Sequence, residues 1–239
     1  MYQCLYPYLG SDDEIYGIMG ELDPKSGIKS HYLSEQNRNK NYDIFNSPHG
    51  LNPWKHTFAK DAREYVGGDI WSEYTTFAFI RNPWSMYVSF YYWIKNREIE
   101  PKWQGGADIW RDIKQSDDFN DYVINTYDGI TLNDDSLWGH TLSQYITDDD
   151  DNIIVDHICR FENIGFDFGY ICSSLGIPRH YLRRRNRRAP NKNHQGRKWW
   201  PGLYTDKSRE LIENLHKDDI IRYGYEFGTN WCDYGKQIL

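Results

Sequence analysis

Long apolar runs and closely spaced cysteines are both missing from this sequence of 239 residues. No stretch approaches the roughly 18 consecutive apolar residues of a membrane-spanning helix, and the N-terminus lacks the charged-then-apolar pattern of a signal peptide. The 4 cysteines lie far apart, with no CxxC pair, which argues against a zinc ribbon or a dense disulfide scaffold and favours buried free thiols. We therefore expect no membrane span. The compartment is unknown from the sequence, with a soluble, cytoplasmic protein favoured.

Aliphatic residues are scarce too, since the chain has only 4 valines and 39% apolar residues, below the roughly 45–50% of typical globular domains. Aromatic residues fill this gap, with 10 Trp, 20 Tyr and 10 Phe. Each aromatic side chain can bury on the order of 150–250 Å², so the composition predicts a folded chain. No repeat or flexible linker divides it, and we expect one domain over residues 1–239.

Positive charge is in deficit overall, because the formal net charge is −7. This balance argues against nonspecific nucleic-acid binding by the whole surface. Residues 179–198 are the exception, with nine Lys or Arg and no acidic residue. A basic strip in an acidic protein predicts a local anionic ligand.

Apolar spacing and capping residues predict alternating strands and helices. Strands are expected near residues 75–80 and 153–158, with a solvated hairpin turn at residues 148–151. The expected helices are a run from about Lys55 that stops at Gly67-Gly68, one from Pro83 to about Asn96, Phe119–Tyr127, one through Phe168 and Leu175 that closes at Gly176, and one that starts at Thr205. This order is typical of an α/β protein.

The most informative segment is residues 77–89, where a strand ends in Arg81 and a helix follows at once. Asn82 is a favoured N-cap residue, and Pro83 suits the first helical position. A helix N-terminus favours an anion, and a guanidinium there can grip a phosphate with two parallel hydrogen bonds. Ser89, about two turns into the helix, can add a further bond. The alternative is that Arg81 pairs with a carboxylate and Ser89 lies on a helix face.

Arg-Asn-Pro followed by a serine eight residues after the arginine resembles the 3′-phosphate-binding signature of sulfotransferases, which use 3′-phosphoadenosine 5′-phosphosulfate (PAPS). The closest resemblance is to the carbohydrate-type sulfotransferase family 2. It extends over roughly residues 50–228, and the other segments that carry it are residues 55–64, 156–164, 191–193, 204–206 and 218–227.

This resemblance implies a P-loop-NTPase-like three-layer sandwich with a central, mainly parallel sheet. It implies in-line transfer of a sulfuryl group from PAPS to a hydroxyl acceptor, expected to be a carbohydrate, without a metal ion. Positioning and electrostatic stabilisation should dominate the catalysis. The residues that the resemblance assigns to cofactor binding are Arg81, Ser89, Lys192, Arg197 and Lys198. Trp199 or Trp200 is expected to stack on adenine or on a sugar ring.

The transfer needs a base for the acceptor hydroxyl, and histidine suits this role because its pKa of about 6.5 lies near working pH. His56 is the catalytic candidate, since it lies upstream of the Arg81 strand, where related sulfotransferases carry their catalytic histidine. His49 is the second candidate for the base. His49 and Lys55 are assigned to substrate binding, with a solvated lysine as the alternative for Lys55.

A loop of the Pro-Lys-Thr-x-Gly-Thr kind, which holds the 5′-phosphosulfate in the family, is not present. Residues 20–26 offer the nearest string, but they lack a second glycine and follow no apolar strand, so we reject them as this loop. Residues 8–18 resemble the segment that comes after the loop and its helix in relatives. We therefore expect the chain to begin after the first strand and the 5′ loop.

Two other functions remain open at this level. One is a degenerate, non-catalytic sulfotransferase fold that binds anionic glycans or nucleotide, with the cluster at residues 183–188 as its basic surface. The other is RNA binding by that cluster with nearby aromatic residues, although no RNP or KH signature is present. We rank RNA binding last.

Overall fold

The computed structural model describes residues 14–15, 29–30, 58–98, 106–129, 141–179 and 200–229. The strands in these ranges are β1 (Glu14–Ile15), β2 (Lys29–Ser30), β3 (Phe77–Ile80) and β4 (His157–Arg160). The helices are α1 (Ala59–Val66), α2 (Gly68–Glu73), α3 (Pro83–Lys95), α4 (Gly106–Gln115), α5 (Phe119–Tyr127), α6 (Ile164–Ser174), α7 (Asp206–Leu215) and α8 (Lys217–Tyr223). The chain combines helices with a small parallel sheet, so the expected α/β character is confirmed.

The strands pair in two parallel pairs. β1 lies beside β2, with Glu14 opposite Lys29. β3 lies beside β4, and hydrogen bonds join Thr76 to Asp156 before the pair and Asn82 to Glu162 after it. Both bonds span 80 residues, and a constant separation along two strands means that they run in the same direction.

The chain divides into two compact units. The first consists of Met1–Ala78, Leu142–Cys159 and Gly165–Arg183, and the second of Phe79–Thr141, Arg160–Ile164 and Arg184–Leu239. The prediction of a single domain stays a prediction.

In the first unit, α1 begins after the buried Phe58 and ends at Gly67, whose φ of +87° favours glycine. The predicted stop at Gly67 is confirmed, but a further helix, α2, begins at the next residue. The predicted hairpin turn is confirmed as well, because Thr147 bridges to Ile153 in the antiparallel sense. The exposed Asp149 of this turn forms an ion pair with Lys60, with 2.6 Å between Asp149 Oδ1 and Lys60 Nζ.

Two buried cysteines in the first unit carry free thiols, as expected. They are Cys159 and Cys172, and burial raises the pKa of the Cys159 thiol to about 11. The helix α6 that carries Cys172 was predicted from its apolar spacing. Gly176 follows it at a φ of +66°, which confirms the predicted close.

The second unit has an aromatic core. Tyr91 contacts Phe119 and Tyr122 at ring centroid distances of 5.6 and 5.8 Å. Tyr87 meets the Tyr127 ring edge to face at 5.2 Å and shares a hydrogen bond with the buried His216. Burial raises the pKa of Tyr127 to about 12, so its hydroxyl stays protonated. Aromatic residues therefore form much of the interior of this unit, together with fully buried aliphatic residues such as Ile94 and Ile212.

Where α3 and α4 end, a lysine from each helix bonds the last carbonyls of the other helix. Lys95 of α3 donates to the carbonyls of Ile113 (3.0 Å) and Ser116 (2.7 Å), within and just after the last turn of α4. Lys114 of α4 donates to the carbonyls of Lys95 (2.8 Å) and Arg97 (2.6 Å) where α3 ends. The last carbonyls of a helix lack partners within it, so each lysine caps the helix that carries the other.

Capping also explains α7, which starts after Thr205 as predicted. The Thr205 and Ser208 side chains each bond the backbone N–H of the other residue, the arrangement called a capping box. α8, which comes directly after it, and α4 are helices that the sequence pattern did not predict. In the described part of the chain, no helix is long and apolar enough to cross a membrane.

Candidate functional site

The candidate site lies where β3 and β4 end, in the second unit. Arg81 directly follows β3, and Phe161 and Glu162 directly follow β4. Because the strands are parallel, these residues come to the same edge. The crevice outside the carboxyl ends of parallel strands is where open α/β sheets bind ligands.

The N-terminus of α3 is tightly capped. The Asn82 side chain accepts the Ser85 N–H at 3.3 Å, and Pro83 occupies the first turn, so the predicted cap is confirmed. The Asn82 N–H donates to Glu162 at 2.8 Å. These two N–H groups are therefore committed to the protein and do not serve an anion at this helix start.

Arg81 is the cation at this edge, and its guanidinium is held on one side. Its Nε–H donates to the Ser85 hydroxyl oxygen at 3.0 Å, and its Cζ lies 4.5 Å from the centre of the Phe161 ring. Burial lowers the pKa of Arg81, while the nearby Glu162 and Tyr225 raise it. An arginine remains charged at neutral pH under such a shift.

The other edge of the same guanidinium carries its two terminal amino groups, Nη1 and Nη2. Among the residues that the structure describes, neither amino group donates a hydrogen bond. Two parallel N–H groups of this kind match two oxygens of a phosphate. This edge of Arg81 is the strongest candidate for an anion contact in the described ranges.

A second arginine nearby has a different role. Arg160, the last residue of β4, donates to the carbonyl of Tyr223 and lies 4.8 Å from the centre of the Tyr225 ring. Burial raises the pKa of Tyr225, and Glu162 raises it further, whereas Arg160 lowers it. Tyr225 therefore stays neutral, and Arg160 holds the segment after α8.

Ser89 lies on α3 and its side chain is exposed. It stands one turn beyond Ser85, so the two serines share a face of the helix. Arg81 contacts the nearer of them, Ser85. The structure thus places Ser89 on the face of α3 that Arg81 approaches, and it is open to solvent.

Most of the other predicted site residues lie outside the described residues: His49, Lys55, His56, Lys192, Arg197, Lys198 and Trp199. Trp200 is described. Its ring contacts Phe227 edge to face at a centroid distance of 5.3 Å, and Phe227 also contacts Trp84 of α3 at 5.5 Å. Trp200 is therefore packed against the protein near the start of α3.

Sequence reasoning missed Ser85, Phe161 and Tyr225 as neighbours of Arg81. Ser85 comes four residues after Arg81, which is a spacing that brings side chains together at a helix start. Phe161 is 80 positions away, and only the parallel pairing of β3 with β4 connects it to Arg81.

A family model described as the Sulfotransferase family matches residues 26–226 of the chain. This range includes both strands that end at the site and both arginines. No curated protein and no solved structure matches the chain.

Proposed function

The chain belongs to the sulfotransferase family, and we propose that it transfers a sulfuryl group from PAPS to a hydroxyl of a carbohydrate acceptor. The observation that carries this proposal is the guanidinium of Arg81, whose Nε edge is bound to Ser85 and whose Nη edge has no hydrogen-bond partner among the described residues. A cation of this kind at the carboxyl end of parallel strands suits a phosphate.

The described residues fit the 3′-phosphate of PAPS. Arg81 supplies charge and two parallel donors, and the exposed Ser89 supplies a hydroxyl on the same side of α3. Lys192, Arg197 and Lys198 are proposed to bind the remaining phosphate charge, since they belong to the only strongly basic strip of the sequence. We propose that the fold is a P-loop-NTPase-like sandwich, which the parallel β3–β4 pair supports.

When bound, PAPS supplies the activated sulfuryl group. In the proposed reaction, His56 takes the proton of the acceptor hydroxyl while the sulfuryl group moves to that oxygen in line with its leaving phosphate. Arg81 and Ser89 orient the donor by its 3′-phosphate. Lys55 and His49 lie near His56 in sequence and are proposed to contact the acceptor.

Calorimetric titration with 3′-phosphoadenosine 5′-phosphate, and with adenosine 5′-phosphate as the ligand that lacks the 3′-phosphate, tests the donor site. We expect 3′-phosphoadenosine 5′-phosphate to bind more tightly than adenosine 5′-phosphate. A hydrogen bond to a charged group contributes about 1.5–3 kcal/mol. Arg81→Ala should therefore weaken the binding of 3′-phosphoadenosine 5′-phosphate by roughly 10- to 150-fold and leave the affinity for adenosine 5′-phosphate nearly unchanged. Arg111→Ala, at an exposed arginine paired with Asp108 on α4, is the matched control. Unchanged binding in Arg81→Ala would refute the proposal.

Transfer itself is measured with radiolabelled PAPS and a panel of polysaccharides. His56→Ala should lower the rate by about 10²- to 10⁴-fold, the usual contribution of a general base, while binding of 3′-phosphoadenosine 5′-phosphate persists. Nucleotide binding without transfer to any acceptor would instead favour the non-catalytic alternative.

A further inference from the structure

The two edges of the Arg81 guanidinium differ in what surrounds them. The Nε edge is bonded to the Ser85 hydroxyl at 3.0 Å, while the Nη edge has no hydrogen-bond partner among the residues described. A free arginine side chain rotates through many conformations, and ordering it on binding costs affinity. The Ser85 contact removes much of this freedom before any ligand arrives.

Ser85 can hold Arg81 because its own hydroxyl is fixed. Its Oγ–H donates to the carbonyl of Asn82 at 3.2 Å, and the residue is only 8% exposed. With the proton directed to Asn82, the oxygen lone pairs remain for the Arg81 Nε–H. The capped first turn of α3 therefore determines the direction of the bond to Arg81.

Phe161 fixes a second degree of freedom. The guanidinium Cζ lies 4.5 Å from the centre of this ring, and a cation over an aromatic face is attracted by it. The hydroxyl of Ser85 restricts where the Nε edge points, and the Phe161 ring restricts the guanidinium through a separate contact.

We propose that Ser85 and Phe161 are positioning residues of the donor site, which hold Arg81 so that its Nη edge receives the 3′-phosphate through two parallel hydrogen bonds. This inference rests on the proposed function. It adds that discrimination for a 3′-phosphate depends on two residues that do not touch the phosphate.

Ser85→Ala tests the hydroxyl, and Ser116→Ala is its matched control. Ser116 is also a buried serine, at 7% exposure, and its hydroxyl also donates to the carbonyl three residues earlier, at 2.7 Å, but it does not contact Arg81. We expect Ser85→Ala to weaken 3′-phosphoadenosine 5′-phosphate binding by about three- to tenfold without changing adenosine 5′-phosphate binding. Ser116→Ala should leave the ratio of the two affinities unchanged.

Phe161→Leu tests the ring, and it remains informative if Ser85→Ala does not fold, because Phe161 is 45% exposed. Its control is Phe166→Leu, at a phenylalanine of α6 that is 59% exposed. Phe161→Leu should reduce the affinity ratio by about two- to fivefold, and Phe166→Leu should not.

A measurement without ligand separates positioning from general stability. In nuclear magnetic resonance spectra, the Nε–H of Arg81 should exchange with water more slowly than that of the exposed Arg111, and Ser85→Ala should remove the difference. This inference is overturned if neither Ser85→Ala nor Phe161→Leu changes the ratio of the two nucleotide affinities, while Arg81→Ala removes the preference for the 3′-phosphate. The proposed function would then still stand. If Arg81→Ala also leaves the ratio unchanged, the proposed function itself fails.

Discussion

Both ends of the β3–β4 pair are closed by a carboxylate that accepts a backbone N–H from a residue 80 positions earlier. At the start, in the first unit, Asp156 accepts the N–H of Thr76 at 2.7 Å and its hydroxyl at 2.8 Å. At the end, in the second unit, Glu162 accepts the N–H of Asn82 at 2.8 Å. The same hydrogen-bond pattern thus occurs twice on one pair of strands.

The surroundings of the two carboxylates differ. Asp156 is exposed, and its bonds to Thr76 join the segments that lead into the strands. Glu162 is half-buried and also acts on the charge of Arg81. Glu162 thus combines the closing of the strand pair with an influence on Arg81, the cation of the proposed donor site, whereas Asp156 bonds the N–H and the hydroxyl of Thr76.

The largest expected effect is at Glu162. Glu162→Ala leaves the N–H of Asn82 without its acceptor, and Asn82 is only 1% exposed. An unsatisfied buried donor costs about 1–3 kcal/mol, so we expect the free energy of unfolding in urea to fall by about 2 kcal/mol. Glu162→Gln keeps an acceptor oxygen and should lose less than about 1 kcal/mol. Equal losses in the two variants would show that this hydrogen bond is not what stabilises the end of the pair.

Asn82→Ala comes next, because it removes the cap of α3 and the hydrogen bond from its side chain to the carbonyl of Glu226. We expect a loss of about 1–2 kcal/mol in unfolding free energy, together with weaker binding of 3′-phosphoadenosine 5′-phosphate. Asp118→Ala removes the matching cap of α5 and should cost about 1 kcal/mol without an effect on binding. A binding defect in Asp118→Ala would mean that lost helix stability alone explains both results.

Asp156→Ala should have a smaller effect, about 1 kcal/mol, because water reaches this carboxylate and can bond Thr76 in its place. Asp156→Asn, which keeps an acceptor oxygen, is the control and should lose less than half as much. Binding of the nucleotide should be the same in wild type and both variants. A clear fall in nucleotide affinity in Asp156→Ala would contradict the distinction between the two ends.

The smallest effect is a dependence on pH. Hydrogen bonds from Thr76 lower the pKa of Asp156, so the folded chain keeps this carboxylate ionised at pH values where the unfolded chain, with a pKa of about 3.9, takes up a proton. The resulting stability is complete above roughly pH 5 and is lost as the pH falls through the lowered folded pKa. Urea denaturation between pH 5 and pH 2.5 should therefore show a shallower decline in Asp156→Asn than in wild type. Parallel declines would exclude this contribution of Asp156.

Local signals in the sequence predicted much of this structure. Asn82 and Pro83 marked the start of α3, and Thr205 marked the start of α7, because caps and first-turn residues act within a few positions. α4 was missed although Ile109 and Ile113 lie four residues apart, since the surrounding residues are polar and only Ile113 is fully buried. Short apolar spacing in a polar segment gives a weak signal.

The site was predictable only in part. Arg81 was singled out because its place between a strand and a capped helix is visible in the sequence. Its contact with Phe161 was not, because that contact depends on the register of two strands separated by 80 residues. Register is determined by packing and long-range hydrogen bonds, and composition does not encode it.

The reciprocal capping of α3 and α4 by Lys114 and Lys95 has a consequence for motion. If the end of α3 frays, its carbonyls separate from Lys114 of α4. Lys95 of α3 then also leaves the carbonyls at the end of α4, which loses its cap. The same holds when α4 frays first. The two ends are therefore expected to open together as one cooperative unit, which native-state hydrogen exchange would show as similar opening free energies for the last amides of both helices. The helix that starts at the proposed donor site therefore ends in a contact that resists independent movement.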